Sequence, residues 1–136
     1  LKKALALLLL SFSLVLVSAS SALACPKTHG KSPQDKAVAD KLCKQEPFTT
    51  LKDWIILTSV QESILYLDIT PDMYRGFRQD HLTAKGVIGN LSRVFQKTYS
   101  GSGRLKTVTV WFYVNKEKMI TADRSGGGGE TKVKFN

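Results

Sequence analysis

The chain has 136 residues, a formal net charge of +9 at pH 7 and a hydrophobic fraction of 43%. That balance suits one folded domain and excludes a chain too polar to bury a core. The excess of lysine and arginine is spread along the sequence with no long run of one sign, so it describes a solvated basic surface that favours anionic partners only mildly.

Lys2 and Lys3 precede an uncharged apolar stretch, Ala4 to Val17, of about 14 residues, the length of a signal-peptide core. It is short of the roughly 20 apolar residues that span a bilayer. The small polar run Ser18 to Ser21 follows, and Ala22-Leu23-Ala24 then forms an Ala-x-Ala cleavage site. Residues 1–24 are therefore expected to be a secretory signal peptide. The chain opens on Leu1 rather than methionine, as a non-standard start codon or a truncated sequence would. Cleavage leaves about 110 residues, enough for one domain of ordinary size.

Cys25 and Cys43 are the two cysteines, and export would bring them to an oxidising compartment where such a pair joins. A loop of this size contributes roughly 3 kcal/mol by the chain-entropy model. The alternative is lipidation of Cys25, since a cysteine after a signal sequence resembles the bacterial lipobox, although Ala22 stands where leucine is usual. The expected location is periplasmic or extracellular, with a lipid-anchored envelope protein as the alternative. Contact with a membrane is expected only if Cys25 is acylated.

Residues 25–31 form a polar N-terminal segment, and Ser32-Pro33-Gln34-Asp35 then reads as an N-cap, a first-turn proline and a first-turn acid. The helix that follows has a thin apolar stripe of Val38, Ala39, Leu42 and Cys43, and Glu46-Pro47 stops it. From Leu51 to Thr70 the sequence predicts a hairpin turning at residues 59–63. Leu65, Leu67 and Ile69 face one side of its second strand, Tyr66, Asp68 and Thr70 the other. The first strand, Asp53 to Thr58, is apolar on both faces, as a central strand or one covered by the first helix would be. A helical reading of residues 54–60 stays open.

Thr70-Pro71-Asp72 reads as a turn or a helix start, and Arg78 to Tyr99 then carries Leu82, Ala84, Val87, Ile88, Leu91, Val94 and Phe95 at spacings of three and four, which predicts the main amphipathic helix. Asp80 is its candidate N-cap and Gly101 its end. Lys85, Asn90, Arg93, Gln96 and Lys97 are placed on the polar side. Gly86 and Gly89 each cost about 1 kcal/mol against alanine in a helix, so close approach of helix to sheet is expected there. Leu105 to Val114 is a strand with Val108, Val110, Phe112 and Val114 on one face and Thr107, Thr109, Trp111 and Tyr113 on the other. Asn115-Lys116 turns the chain into a shorter strand over residues 118–122. Residues 124–136 read as a glycine-rich linker and a tail that adds an edge strand or stays disordered. The expected fold is an α+β two-layer sandwich over residues 32–123. It has an antiparallel sheet of four or five strands, one long helix across it and a short N-terminal helix, in the order α-β-β-α-β-β.

His29 and His81 lack metal-ligand spacing to a cysteine or to one another, so no metal site is expected. No catalytic or phosphate-loop motif is present, residues 125–129 being glycine-rich without a following helix, and no cofactor is expected. Two candidate ligand sites remain. Asp72, Arg75, Arg78, Asp80 and His81 gather near a helix start, where arginines can grip a carboxylate or phosphate. Trp111 and Tyr113, joined by Tyr66 and Trp54 and flanked by Lys106, Lys116 and Lys118, form an outward aromatic face that binds a partner or covers a second small core under the first helix. The expected role is a non-enzymatic binding or assembly module of the bacterial envelope, taking an anionic envelope polymer or a protein partner and no intracellular nucleic acid. The alternative is a small secreted hydrolase using His81 with Asp72 or Asp80. The sequence leaves the oligomeric state open.

Overall fold

The computed structural model describes residues 27–136, so the expected signal peptide and Cys25 lie outside the described residues. In chain order the elements are β1 (Thr28–Gly30), α1 (Pro33–Leu42), β2 (Ile55–Gln61), β3 (Ile64–Ile69), α2 (Pro71–Gln79), α3 (His81–Ser100), β4 (Val108–Val114), β5 (Glu117–Arg124) and β6 (Lys132–Phe135).

Local chemistry sets the element ends. The Ser32 hydroxyl accepts from the Asp35 amide at 3.1 Å, the Thr70 hydroxyl from the Met73 amide at 3.2 Å, and the Asp80 carboxylate from the Thr83 amide at 3.0 Å. Each satisfies a helix-start donor that would otherwise lack a partner. The expected helix from Arg78 accordingly begins at His81, and Arg78 belongs to a separate helix, Pro71–Gln79. Asp80, at φ −140 and ψ 88, leaves helical geometry to close α2 and cap α3. The hairpin turns use left-handed residues, Glu62 in the first and Asn115 with Lys116 in the second. Such turns match the twist of antiparallel strands. Residues 55–61 are strand, which closes the helical reading of that segment.

The class is α+β, but the sheet differs from the expected one. It has six strands in the order β1-β2-β3-β4-β5-β6 and is mixed: β1 runs parallel to β2 and β3 parallel to β4, while the other three pairs are antiparallel. The cause is connectivity. Helical segments separate β1 from β2 and β3 from β4, carrying the chain back to the end where the previous strand began, and such a crossover makes neighbours parallel. Strands from outside the expected 32–123 boundary complete the sheet on both edges. Thr28–Gly30 pairs with β2, and the C-terminal tail supplies β6 against β5.

One core joins all three helices to a single face of the sheet. Ala39 and Leu42 of α1, Met73 and Phe77 of α2, and Ala84, Ile88, Leu91 and Phe95 of α3 meet Val60, Leu65, Leu67, Val110, Phe112 and Ile120. The alternation in β3 and β4 is the one expected. Three expectations for α3 fail. Leu82 is 84% exposed, because it sits in the first turn of α3 beside a groove shared with Gly86, Gly89 and Thr131. Gly86 does not mark a close approach, since a Cβ there would meet nothing within 4 Å. Gln96 is fully buried rather than solvent-facing. Its amide donates to the carbonyls of Lys106 and Ser125 at 2.8 Å each and accepts from Arg124 Nε at 2.8 Å, tying the entry to β4 and the exit from β5 to α3.

The close approach occurs instead at Gly30. A Cβ there would lie 2.0 Å from the Lys36 amide nitrogen and 2.4 Å from its Cα, so β1 is pressed against the first turns of α1. Thr28 adds a hydrogen bond to Asp40 at 2.6 Å. Gly30→Ala is expected to destabilise the protein by at least about 1–3 kcal/mol, since backbone must move to admit the methyl, as measured by denaturant unfolding. Thr58 presents the opposite case. It is fully buried on the core face of β2, and its hydroxyl has no partner among the described residues. Thr58→Val keeps the branched shape and removes the orphan donor, so it is expected to raise the unfolding free energy by about 1 kcal/mol.

Candidate functional site

Among the described residues every helix packs on one face, and none of them covers the other face of the sheet. The register assembles its surface. One row runs His29, Ser59, Tyr66, Trp111, Thr121 and Lys134 from β1 to β6; a second runs Leu57, Asp68, Tyr113 and Lys118. A third brings Thr109, Asp123 and Lys132 together on β4, β5 and β6. The expectation that the first helix covers this face does not hold. Ala39 and Leu42 of α1 are fully buried in the same core as α3, so α1 lies beside the long helix and no second core forms beneath it among the described residues.

Trp111 and Tyr113, two of the expected site residues, stand together on this face, each half-buried. Tyr66 joins them, its ring edge-on to Trp111 at 5.2 Å and stacked on Tyr113 at 6.2 Å. The parallel pairing of β3 and β4 is what sets Tyr66 opposite Trp111 and Asp68 opposite Tyr113. Lys118 Nζ lies 4.2 Å over the Trp111 ring, a cation–π contact that fixes a positive charge at the edge of the cluster. Thr109 donates to Asp123 at 2.8 Å.

Asp68 was legible on the outward side of β3, but nothing in the sequence gave it a role. Among the described residues its carboxylate makes no hydrogen bond or ion pair, and burial raises its pKa. The Tyr113 hydroxyl is also raised, first by burial and then by the negative potential of Tyr66 and Asp68. An acceptor with no donor among the described residues therefore sits opposite Tyr113. The lysines of β6 were likewise missed; the weak alternation of Val133 and Phe135 with Lys132 and Lys134 was the available signal.

The other expected cluster does not converge. Arg75 pairs with Asp72 on the exposed side of α2, and Arg78 donates to the Tyr74 hydroxyl at 3.1 Å while lying over its ring. His81 stacks on Phe135 with ring centroids 4.2 Å apart, clamping β6 to the start of α3. Asp80 is committed to the amide and hydroxyl of Thr83, contacts that lower its pKa. Lys106 lies over the Tyr99 ring at 5.2 Å rather than beside Trp111. Trp54 is 46% exposed just before β2.

Among the described residues no three His, Cys, Asp or Glu side chains gather where they could hold a metal ion, and no helix is long and apolar enough to cross a membrane. The structure thus defines a two-layer α+β sandwich with a bare aromatic sheet face. In comparisons with protein-family models, curated proteins and solved structures, nothing matches this chain.

The Asp68 carboxyl gives a pH-dependent expectation. A carboxyl whose folded pKa is raised disfavours folding once it ionises, so its penalty is absent below the ordinary value of 3.8 and present above the folded value. Asp68→Asn is expected to raise the thermal midpoint at pH 7, with the gap to wild type closing as the pH falls below about 4.

Proposed function

We propose that this chain is a small exported, non-enzymatic module of the bacterial envelope that captures an anionic polymer or a protein partner on the open face of its sheet. The observation that carries the reading is the uncovered cluster of Tyr66, Trp111 and Tyr113. Large aromatic side chains left outside a core mark interaction surfaces, since their area gives binding energy at low conformational cost. Support also comes from the groups a hydrolase would use. His81, Asp72 and Asp80 each have a separate structural engagement, with Phe135, Arg75 and Thr83.

Export rests on the signal-like residues 1–24. With it goes a proposed bridge from Cys25 to Cys43. In support, Cys43 is buried at the C-cap of α1, and no cysteine among the described residues is free. The bridge would hold the new N-terminus beside the helix that supports β1.

Two measurements test the reading. Immobilised protein is expected to retain a component of an envelope extract, and Trp111→Ala to lower its recovery at least tenfold, about 1.4 kcal/mol in binding; unchanged recovery would remove the aromatic face from the account. The intact mass of the exported protein is expected to start at Cys25 and to fall short of the reduced form by two hydrogens. Added acyl chains would instead make it a lipid-anchored protein.

A further inference from the structure

We propose that the open face binds a linear polysaccharide bearing carboxylate groups. This rests on the sheet-face role proposed above and adds the chemistry of the partner. The surface is a pleated sheet face, unlike the concave pockets that enclose small ligands, and its rows of side chains run across the strands as a chain laid over them would. Sugar rings have apolar C–H faces and hydroxyl edges. Tyr66 and Tyr113 offer ring surface for the former, as aromatic platforms do for other ring-bearing polymers. Asp68, without a partner among the described residues, and the half-buried Ser59 and Thr121 offer hydrogen bonds for the latter.

Charge selects the acidic form of such a polymer. Lys118, Lys132 and Lys134 are exposed on the β5–β6 side of the face and outnumber the two carboxylates of these rows, Asp68 and Asp123. Lys134 lies two strands from Trp111 in the same row, roughly 10 Å at the usual strand spacing, within reach of a short oligosaccharide stacked on the rings. Lysine amines pair with carboxylates through charge-assisted hydrogen bonds. A second copy of the chain is a poorer occupant, because each brings the same lysines and a net positive charge. A protein interface core is depleted of charge, whereas here Asp68 and Lys118 flank Tyr113 directly.

The test is calorimetric titration of the full exported protein with three probes in 0.15 M salt, roughly physiological ionic strength: polygalacturonate, a neutral cello-oligosaccharide, and poly(vinyl sulfonate), which has charge without rings. Polygalacturonate is expected to bind best. Lys118→Glu with Lys134→Glu should weaken it at least tenfold in a variant that still unfolds cooperatively, with the thermal midpoint lowered only by loss of the contact between Lys118 and Trp111. Tyr113→Ala should also weaken it, with Tyr113→Phe close to wild type. Equal binding of poly(vinyl sulfonate), indifferent to Tyr113→Ala, would reduce the face to a charge patch and overturn the proposal. Equal binding of the neutral glycan, indifferent to the lysine changes, would overturn its acidic part. If the folded protein ignores polygalacturonate yet still retains an envelope protein through Trp111, the glycan proposal alone fails; if both are lost, the sheet-face role fails with it. A dimer in sedimentation that Tyr113→Ala dissolves would assign the face to a second copy and overturn the proposal.

Discussion

The packing of α3 against the inner face of the central strands is the contact on which the remaining structure depends. Ile88, Leu91 and Phe95 meet Leu67, Val110 and Phe112 with essentially no solvent access. At about 25 cal/mol per Å2 of apolar surface, each such side chain supplies roughly 1.5–3 kcal/mol. α1 and α2 join the same layer at the flanks, and among the described residues no helix is left for the other face. The asymmetry that makes the aromatic cluster available is thus a result of where the apolar side chains of the helices lie.

Buried polar groups supplement that contact where the chain must change direction. Gln96 is the main instance. A leucine in its place would pack, but it would leave the carbonyls of Lys106 and Ser125 and the Arg124 guanidinium short of partners, a loss of about 1–3 kcal/mol per abandoned group. Because it reaches residues on both sides of the β4–β5 hairpin, Gln96 also sets the height at which that hairpin lies on the helix layer. Trp111 belongs to this hairpin, and Lys118 is held above it. The geometry of the open face is therefore linked through the sheet to an interaction on its opposite side.

Much of this was legible in the sequence, and the failures have physical causes. Alternation identified the inward residues of β3 and β4, and Asn115-Lys116 marked its turn, because these signals are local. Ser32 and Asp80 announced helix starts for the same reason. Strand direction was not local. Whether β3 and β4 run parallel depends on a crossover of two helices, and period-two patterning is the same for either sense. The cap at Asp80 was recognised, yet Arg78 and Gln79 before it were joined to the wrong helix, since neither is apolar and the spacing of three and four begins only at Leu82. Gln96 was assigned to solvent by its chemistry, and only its three partners, supplied by distant segments, explain its burial. Of the site, Trp111 and Tyr113 were found by alternation. Asp68 acquired meaning only when the parallel register set it opposite Tyr113, and Arg75, Arg78 and His81 proved to serve separate local contacts.

The order of the strands in the sheet, identical to their order along the chain, bears on how the molecule forms. Every strand pairs with its predecessor, so no segment has to be threaded between two others already in place. The longest connection between paired neighbours is the one carrying α2 and α3. Loop closure becomes slower as the contacting residues lie further apart in sequence, and this arrangement keeps most separations short. A growing sheet edge can accept each arriving strand in turn, and Lys132 and Lys134 put charge on β6 at one edge of the sheet, which disfavours pairing with another chain.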